Sequence, residues 1–151
     1  MYHAKKDDIE KIMNIFKANR KWFPHVREYH IKTRIERNQV ILEDDVVITY
    51  HLYTRNQPLS KKDKEGNNIG KEVMAEKGDC ILHQIVAKDK GTASTVLQRF
   101  FEFINRRVYL SVRSDNEVAK NFYLKNNMKL VGKTSWAKGT LPGDVYMYNE
   151  S

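Results

Sequence analysis

The run Cys80–Ala87, CILHQIVA, is apolar on both faces except at His83 and Gln84. A strand with one face in water alternates apolar and polar residues, whereas a central strand covered from both sides does not. Whatever this chain folds into must therefore cover two faces of one strand. The segment that follows begins to do so: 88–94 (KDKGTAS) reads as a short loop. Over 93–105 the residues Val96, Leu97, Phe100, Phe101 and Ile104 recur at helical spacing. Then 107–113 (RVYLSVR) alternates as a strand with Val108, Leu110 and Val112 on one face.

Ser114 followed by Glu117 reads as a capping box opening a further helix, which carries Asn116, Ala119, Phe122 and Tyr123. Asn127 suits the left-handed residue that ends such a helix. The runs 128–131 and 145–148 supply the last two strands, with Leu141, Pro142 and Gly143 as the turn before the final one. Upstream, Asp7 or Asp8 caps a helix with Ile9, Ile12, Met13 and Phe16 on one face. A second helix runs from Pro24 to about Arg37, with Val26, Tyr29, Thr33 and Ile35 as its weaker stripe. Two strands, 39–43 and 46–54, join through an Asp44-Asp45 turn. The stretch 56–70, rich in Lys, Asn and Gly, reads as a flexible surface loop or a flap on the substrate side.

Composition narrows the class. With 151 residues and 40% hydrophobic content the chain suits one folded domain with one core. Its single cysteine, Cys80, excludes an internal disulfide and fits a reducing compartment, the cytoplasm. The opening MYHAKKDDIEK has no apolar signal-peptide core, so neither secretion nor a membrane span is expected. A net charge of +8 favours an anionic partner, whether nucleic acid, nucleotide cofactor or acidic protein; a lysine-rich solvated surface explains it equally well.

A strand that runs into a glycine-bearing loop and a helix start offers backbone N–H groups and the positive end of a helix dipole, which suits a pyrophosphate. Here Lys88 and Lys90 add charge, Thr92 and Ser94 add hydroxyls, and Gly91 permits close approach and positive φ. A tight turn is the plainer alternative.

In order and spacing these pieces resemble the cofactor half of the GNAT N-acetyltransferase superfamily, over 79–148. The superfamily's loop carries Arg or Gln, two residues, Gly, one residue, then Gly or Ala; Lys88, Gly91 and Ala93 match, with Lys in place of Arg or Gln and with Asp89 where many members have glycine. Its second motif, an Asn-Ala-Tyr helix closed by Lys-x-Gly-Phe, is matched by Asn116, Ala119, Phe122, Tyr123 and Lys125, with Asn127-Met128 replacing Gly-Phe. The resemblance implies a GNAT-like α/β (α+β) single domain: a mixed, mostly antiparallel central sheet of about six or seven strands with helices on both faces. In that arrangement 1–55 would form acceptor-side helices and a hairpin, and 79–148 the acetyl-CoA-binding half.

The same resemblance implies acetyl-CoA as acyl donor and an amine as acceptor. Ile85 and Val86 would offer backbone groups to the pantetheine arm. Lys88, Lys90, Gly91, Thr92, Ala93 and Ser94 would face the pyrophosphate, and Asn116 and Phe122 belong with the cofactor-binding residues. Tyr123 would protonate the departing thiolate, a role open to a phenol within reach of sulfur; on spacing alone it reads as a core residue.

A general base is harder to assign. His83 titrates near neutrality and lies close to Ile85, although a histidine between Ile81 and Ile85 also reads as a satisfied core residue. Glu43, Asp44, His51 and Asp79 are weaker alternatives, and an amine arriving neutral needs none. Ser111 holds substrate or only packs, and Cys80 reads as a small buried hydrophobe. Metal-ligand spacing is lacking. On the acceptor side Trp22, His25, Arg27, Tyr29, His30 and Arg34 mix aromatic and basic residues, as a base-stacking surface or a hydrophobic anchor would. Two alternatives stay open beside the amine acetyltransferase: a GNAT-fold enzyme modifying a nucleobase or tRNA, and a basic binding module without turnover. A homodimer is compatible with each.

Overall fold

The computed structural model describes every residue except Lys71, Lys90, Glu150 and Ser151. Its helices are α1 (Ile9–Ala18), α2 (Glu28–Glu36), α3 (Ala93–Ile104) and α4 (Glu117–Lys125). Its strands are β1 (Val40–Glu43), β2 (Val46–Leu52), β3 (Gln57–Pro58), β4 (Met74–Ala75), β5 (Cys80–Ala87), β6 (Val108–Arg113), β7 (Lys129–Trp136) and β8 (Leu141–Tyr148). Six of them form a mixed sheet in the order β1-β2-β5-β6-β8-β7, and β3 and β4 form a separate antiparallel pair. The sheet is mostly antiparallel; β5 and β6 run parallel, through Cys80↔Val108 and Ile81↔Tyr109.

The chain divides into two compact units. One comprises Met1–His51 with Leu82–Phe103, the other Leu52–Ile81 with Ile104–Ser151. In the first, Ile9, Ile12, Ile15 and Phe16 of α1 bury against Ile31 and Ile35 of α2 and against Val40, Leu42, Val47 and Val86 of the strands. The apolar spacing of α1 is therefore what folds it. Asp8 stands at its start, with its carboxylate accepting the Lys5 N–H at 2.8 Å. The second helix is shorter than predicted and its stripe is different. It begins at Glu28, not Pro24, and it buries Ile31 and Ile35 while Tyr29 is 64% exposed. From Ile35 the helical period returns to Ile31; Tyr29 and Thr33 lie off that line. Phe23, packed edge-on against Phe16 with ring centroids 5.5 Å apart, and Val26 supply the anchor expected of Trp22 and Tyr29.

The hairpin of β1 and β2 closes at Asp44 and Asp45, with φ of 49° and 58°. Two consecutive left-handed residues suit the strand twist of a tight hairpin, and Asp tolerates them. On α3, Val96, Leu97, Phe100 and Phe101 are buried, and Phe100 meets Tyr50 edge-on at 5.1 Å.

In the second unit Val73, Ala75, Tyr109 and Val145 form the core, with Tyr53, Leu59, Ile81, Val131 and Met147 packed on it. The stretch expected to be a flexible loop is tied down. Asp63 Oδ1 accepts from the N–H groups of Glu65 and Asn67, Thr134 Oγ1 donates to the Leu59 carbonyl at 3.1 Å, and Ser135 Oγ donates to the Lys62 carbonyl at 2.7 Å. The last two bonds run between loop and β7, a pairing that composition does not reveal. The last hairpin also turns elsewhere than predicted. Ala137, Lys138 and Gly139 all have positive φ, while Leu141, Pro142 and Gly143 belong to β8. Gly143 is needed as strand rather than as turn, because a Cβ there would lie 2.9 Å from Thr134 Cγ2 and 3.0 Å from Trp136.

Gly139 combines a φ of +90° with backbone contact: a Cβ there would clash with Asp63 and Lys64. Gly66 has a φ of +84° but open space around its Cβ position. Gly139→Ala should therefore destabilise by about 2–4 kcal/mol, and Gly66→Ala by only about 1 kcal/mol. Urea unfolding of both variants checks this; equal losses would show that the loop is not seated on the turn.

Candidate functional site

In the first unit β5 delivers the chain into the predicted phosphate loop. The Lys88 N–H donates to the Asp45 carbonyl at 3.0 Å, fixing the strand's exit, and the Thr92 hydroxyl donates to the Asp89 carbonyl at 3.2 Å. Val96 N–H bonds to the Thr92 carbonyl, so the helical ladder of α3 starts at Thr92 and its first-turn amides precede that bond. What Gly91 provides is room, with nothing within 4 Å of its Cβ position among the described residues. Lys88 and Asp89 are exposed, Ala93 and Thr92 half-buried and Ser94 exposed, and the expected contribution of Lys90 lies outside the described residues.

The predicted double cover of β5 is incomplete. Leu82 and Val86 are buried, but Ile81 and Ile85 are only half-buried and His83, in the same row, is exposed. Thr49 donates to Gln84 Oε1 at 2.7 Å, which satisfies the strand's other polar residue. His83 has a partner that the sequence did not assign to it: its Nε2 lies 2.6 Å from His51 Nδ1, and the two rings stack with centroids 4.7 Å apart. At that distance one ring donates an N–H and the other accepts, so a second proton on the shared axis would set two N–H groups head to head. Although His83 keeps solvent-exposed surface, the protein packed around its ring, then the Arg34 guanidinium and His51, push its pKa down to about 3; burial and Arg34 lower that of His51. Both imidazoles are thus neutral at physiological pH. The signal for the pair was a histidine in each of two otherwise apolar strands, which sequence alone could not set side by side.

The other candidate bases are engaged. Arg99 lies 2.7 Å from Glu43 Oε2 and 2.8 Å from Asp44 Oδ2. Asp79 accepts two bonds from Arg107, at 3.0 and 3.1 Å, and a third from the Glu76 N–H. Burial pushes the Cys80 thiol up to about 12, which makes it inert as a nucleophile. Ser111 sits within the β6–β8 register opposite Val145.

In the second unit Asn116, not Ser114, caps α4: its side-chain oxygen accepts the Ala119 N–H at 3.2 Å. Ser114 instead donates to Asp144 at 2.8 Å, so the predicted capping box is spent on a different bond. Asn127 closes α4 with a φ of 68°, as expected, and the Met128 N–H reaches back to the Tyr123 carbonyl at 3.1 Å. Tyr123 is half-buried, with its ring 5.6 Å from Phe122 and 6.0 Å from Tyr146; burial pushes its phenol up to about 12. It is therefore fully protonated at neutral pH, the form that an acid requires.

Sequence reading missed Asp144, whose side chain is 1% exposed in β8. Lys133 at 2.7 Å, Ser114 and Lys120 converge on it, and Lys120 also donates to the Ser114 carbonyl. The bonds tie α4 to the strands beneath it. A lone acid inside the apolar run GDVYMY was the available signal. Among the described residues no cluster of three or more His, Cys, Asp or Glu could hold a metal ion, and no helix is long and apolar enough to cross a membrane.

No family model and no curated protein matches the chain. Solved structures do. A GNAT-family acetyltransferase from Streptococcus agalactiae 2603 superposes with a TM-score of 0.73 at 16% identity, covering 99% of this chain and 94% of its own. The ribosomal-protein alanine N-acetyltransferase from Escherichia coli gives 0.62 at 8%, covering 97% and 90%. A variant of the spermidine N-acetyltransferase from Vibrio cholerae gives 0.54 at 18%, covering 96% and 91%. At these identities the likeness is one of fold, and the fold is that of the GNAT N-acetyltransferases.

Burial alone would raise the Asp144 pKa, but the bonds from Lys133, Ser114 and Lys120 outweigh it and hold the carboxyl below its ordinary 3.8. The stability it lends is present above that ordinary value and lost as pH falls through the lower, folded one. Asp144→Asn should cost about 1–3 kcal/mol at pH 7, and the gap from wild type should close below pH 4. Urea melts across this range check it; a gap that does not change with pH would assign the loss to packing.

Proposed function

We propose that the chain is an acetyl-CoA-dependent N-acetyltransferase that acts on a primary amine by direct attack. The observation that carries this reading is the passage of β5 into the 88–94 loop and the start of α3, within a GNAT fold. First-turn amides, the space at Gly91 and the exposed Lys88 fit the pyrophosphate of an acetyl-CoA donor, with Thr92, Ala93 and Ser94 beside them. Backbone groups of Ile85 and Val86 take the pantetheine arm, and Lys90 belongs to the same assignment. Acetyl-CoA supplies the acetyl thioester.

The remaining work falls to the chain. The amine nitrogen bonds to the acetyl carbon as the C–S bond breaks, the proton leaving nitrogen is relayed through the neutral His83–His51 pair to solvent, and Tyr123 gives its proton to the departing sulfur. Asn116 holds α4 and retains its amide NH2 for the cofactor, and Phe122 packs beside Tyr123. Alignment of amine and thioester, rather than a covalent enzyme adduct, supplies the acceleration.

A second reading has an observation of its own. Trp22 is 40% and Tyr29 64% exposed, within a run that also exposes Lys17, Arg20, Lys21, Arg27 and Lys32. Lys21 Nζ lies 5.1 Å from the Trp22 ring centre, and the Tyr29 and His30 rings meet at a tilt of 49° with centroids 4.1 Å apart. A tRNA or nucleobase acceptor would stack on such rings and be held by such charges. Binding of tRNA that falls steeply with salt would favour it, and no binding at low salt would exclude it.

Tyr123→Phe separates an enzyme from a binding module. Turnover of acetyl-CoA with an amine panel should fall at least tenfold while the dissociation constant for acetyl-CoA stays within twofold. Unchanged turnover would remove Tyr123 as the acid, and no turnover by wild type with any amine would leave the binding module.

A further inference from the structure

Resting on the acetyl-CoA reading, we propose that Arg99 is a positioning residue for the acyl donor: its hold on the Glu43-Asp44-Asp45 turn fixes the gap between the exit of β5 and the start of α3 that receives the pyrophosphate. The turn grips both sides of the 88–94 loop. At the entry, the Asp45 carbonyl accepts the Lys88 N–H at 3.0 Å, and the Asn19 amide, at the end of α1, donates to the Ala87 carbonyl at 3.3 Å. Beyond the exit, Arg99 reaches from α3 to Glu43 Oε2 at 2.7 Å and to Asp44 Oδ2 at 2.8 Å. Lys11 of α1 completes the set on Asp45 Oδ1 at 2.6 Å. Every one of these residues belongs to the first unit.

These contacts make a closed frame. Strand exit and helix are tied to one turn, whose Asp44 and Asp45 are both left-handed, at φ of 49° and 58°, and so have little freedom to give. Glu43 Oε2 is buried and takes no well-aligned hydrogen bond among the described residues, so its compensation comes from the charge of Arg99. The Asp44 half of the grip is open to solvent and lends little stability; what it adds is a second fixed point for the guanidinium fork. Fixed geometry is what a phosphate cradle needs. Backbone N–H groups bind an anion only within about 2.7–3.2 Å, and a drift of about 1 Å between loop and helix forfeits them. Arg99 and Lys11 also neutralise Glu43, Asp44 and Asp45, carboxylates that would otherwise repel an anionic donor arriving at Lys88.

The test compares two donors. CoA affinity is measured by calorimetry, and turnover is followed with acetyl-CoA and with S-acetylpantetheine, a donor that lacks the pyrophosphate. In Arg99→Gln the dissociation constant for CoA and the KM for acetyl-CoA should rise about fivefold or more, with kcat and the KM for the amine within about twofold of wild type. The kcat/KM for S-acetylpantetheine should also stay within about twofold, which a general disturbance of the fold would not allow. Arg99→Lys should recover part of the CoA affinity. Should Arg99→Gln not fold, Asp44→Asn, which weakens one of the two contacts and leaves Glu43 paired, should give a smaller loss of the same pattern. Unchanged CoA affinity in a folded variant, or an equal loss on both donors, would overturn the proposal while the acetyl-CoA reading stands. A folded wild type that binds no CoA would overturn that reading and this inference with it.

Discussion

The start of β5 depends on one buried carboxylate. Asp79 is 6% exposed, and both its oxygens are taken, by the Arg107 guanidinium and the Glu76 N–H. Around it the backbone closes a knot: the Tyr53 N–H bonds to the Asp79 carbonyl, the Gly78 N–H to the Tyr53 carbonyl, and the Cys80 N–H to the Arg107 carbonyl. Isolated, a buried charge of this kind would be prohibitive; paired with a fork of matching geometry and a backbone donor, it is tolerated and specifies one arrangement. That arrangement sets Cys80 opposite Val108, the first pair of the parallel ladder. A slip of one residue would exchange the faces of every side chain from Cys80 to Ala87.

From that starting point the first unit gains its chemistry through register. The row of β5 that contains His83 remains partly open, and this is why the strand can hold a histidine pair where the sequence suggested a covered core. Asp144 plays the corresponding part for α4, drawing Lys133, Ser114 and Lys120 together under it. Two buried acids, Asp79 and Asp144, both in the second unit, thus fix the start of β5 and the seat of α4. Neither acid is itself exposed enough to react.

What the sequence made legible was what short-range physics decides. The apolar periods of α1 and α3, the two left-handed aspartates at Asp44 and Asp45, and the left-handed Asn127 follow from local sterics and amphipathicity. What it hid depends on partners distant in the chain. Ser114 left its capping box because Asp144 offered a charged acceptor. The 56–70 stretch reads as mobile until Thr134 and Ser135 bond to it. Tyr29 joined the wrong stripe because α2 is short and its period is set by only two buried residues, Ile31 and Ile35. At the candidate site the motif residues were legible one by one, but the pairing of His83 with His51 required the strand order β2-β5. Arg99 was visible only as one basic residue among many.

The claim at the centre of this account is that the loop after β5 holds the pyrophosphate of an acyl donor. Calorimetric titration with acetyl-CoA, with CoA and ATP as comparisons, tests it most directly. Saturable binding of acetyl-CoA and CoA at least tenfold tighter than ATP is the predicted result. No heat of binding from a folded sample, or equal affinity for ATP, would reduce the loop at Gly91 to a turn and contradict the account.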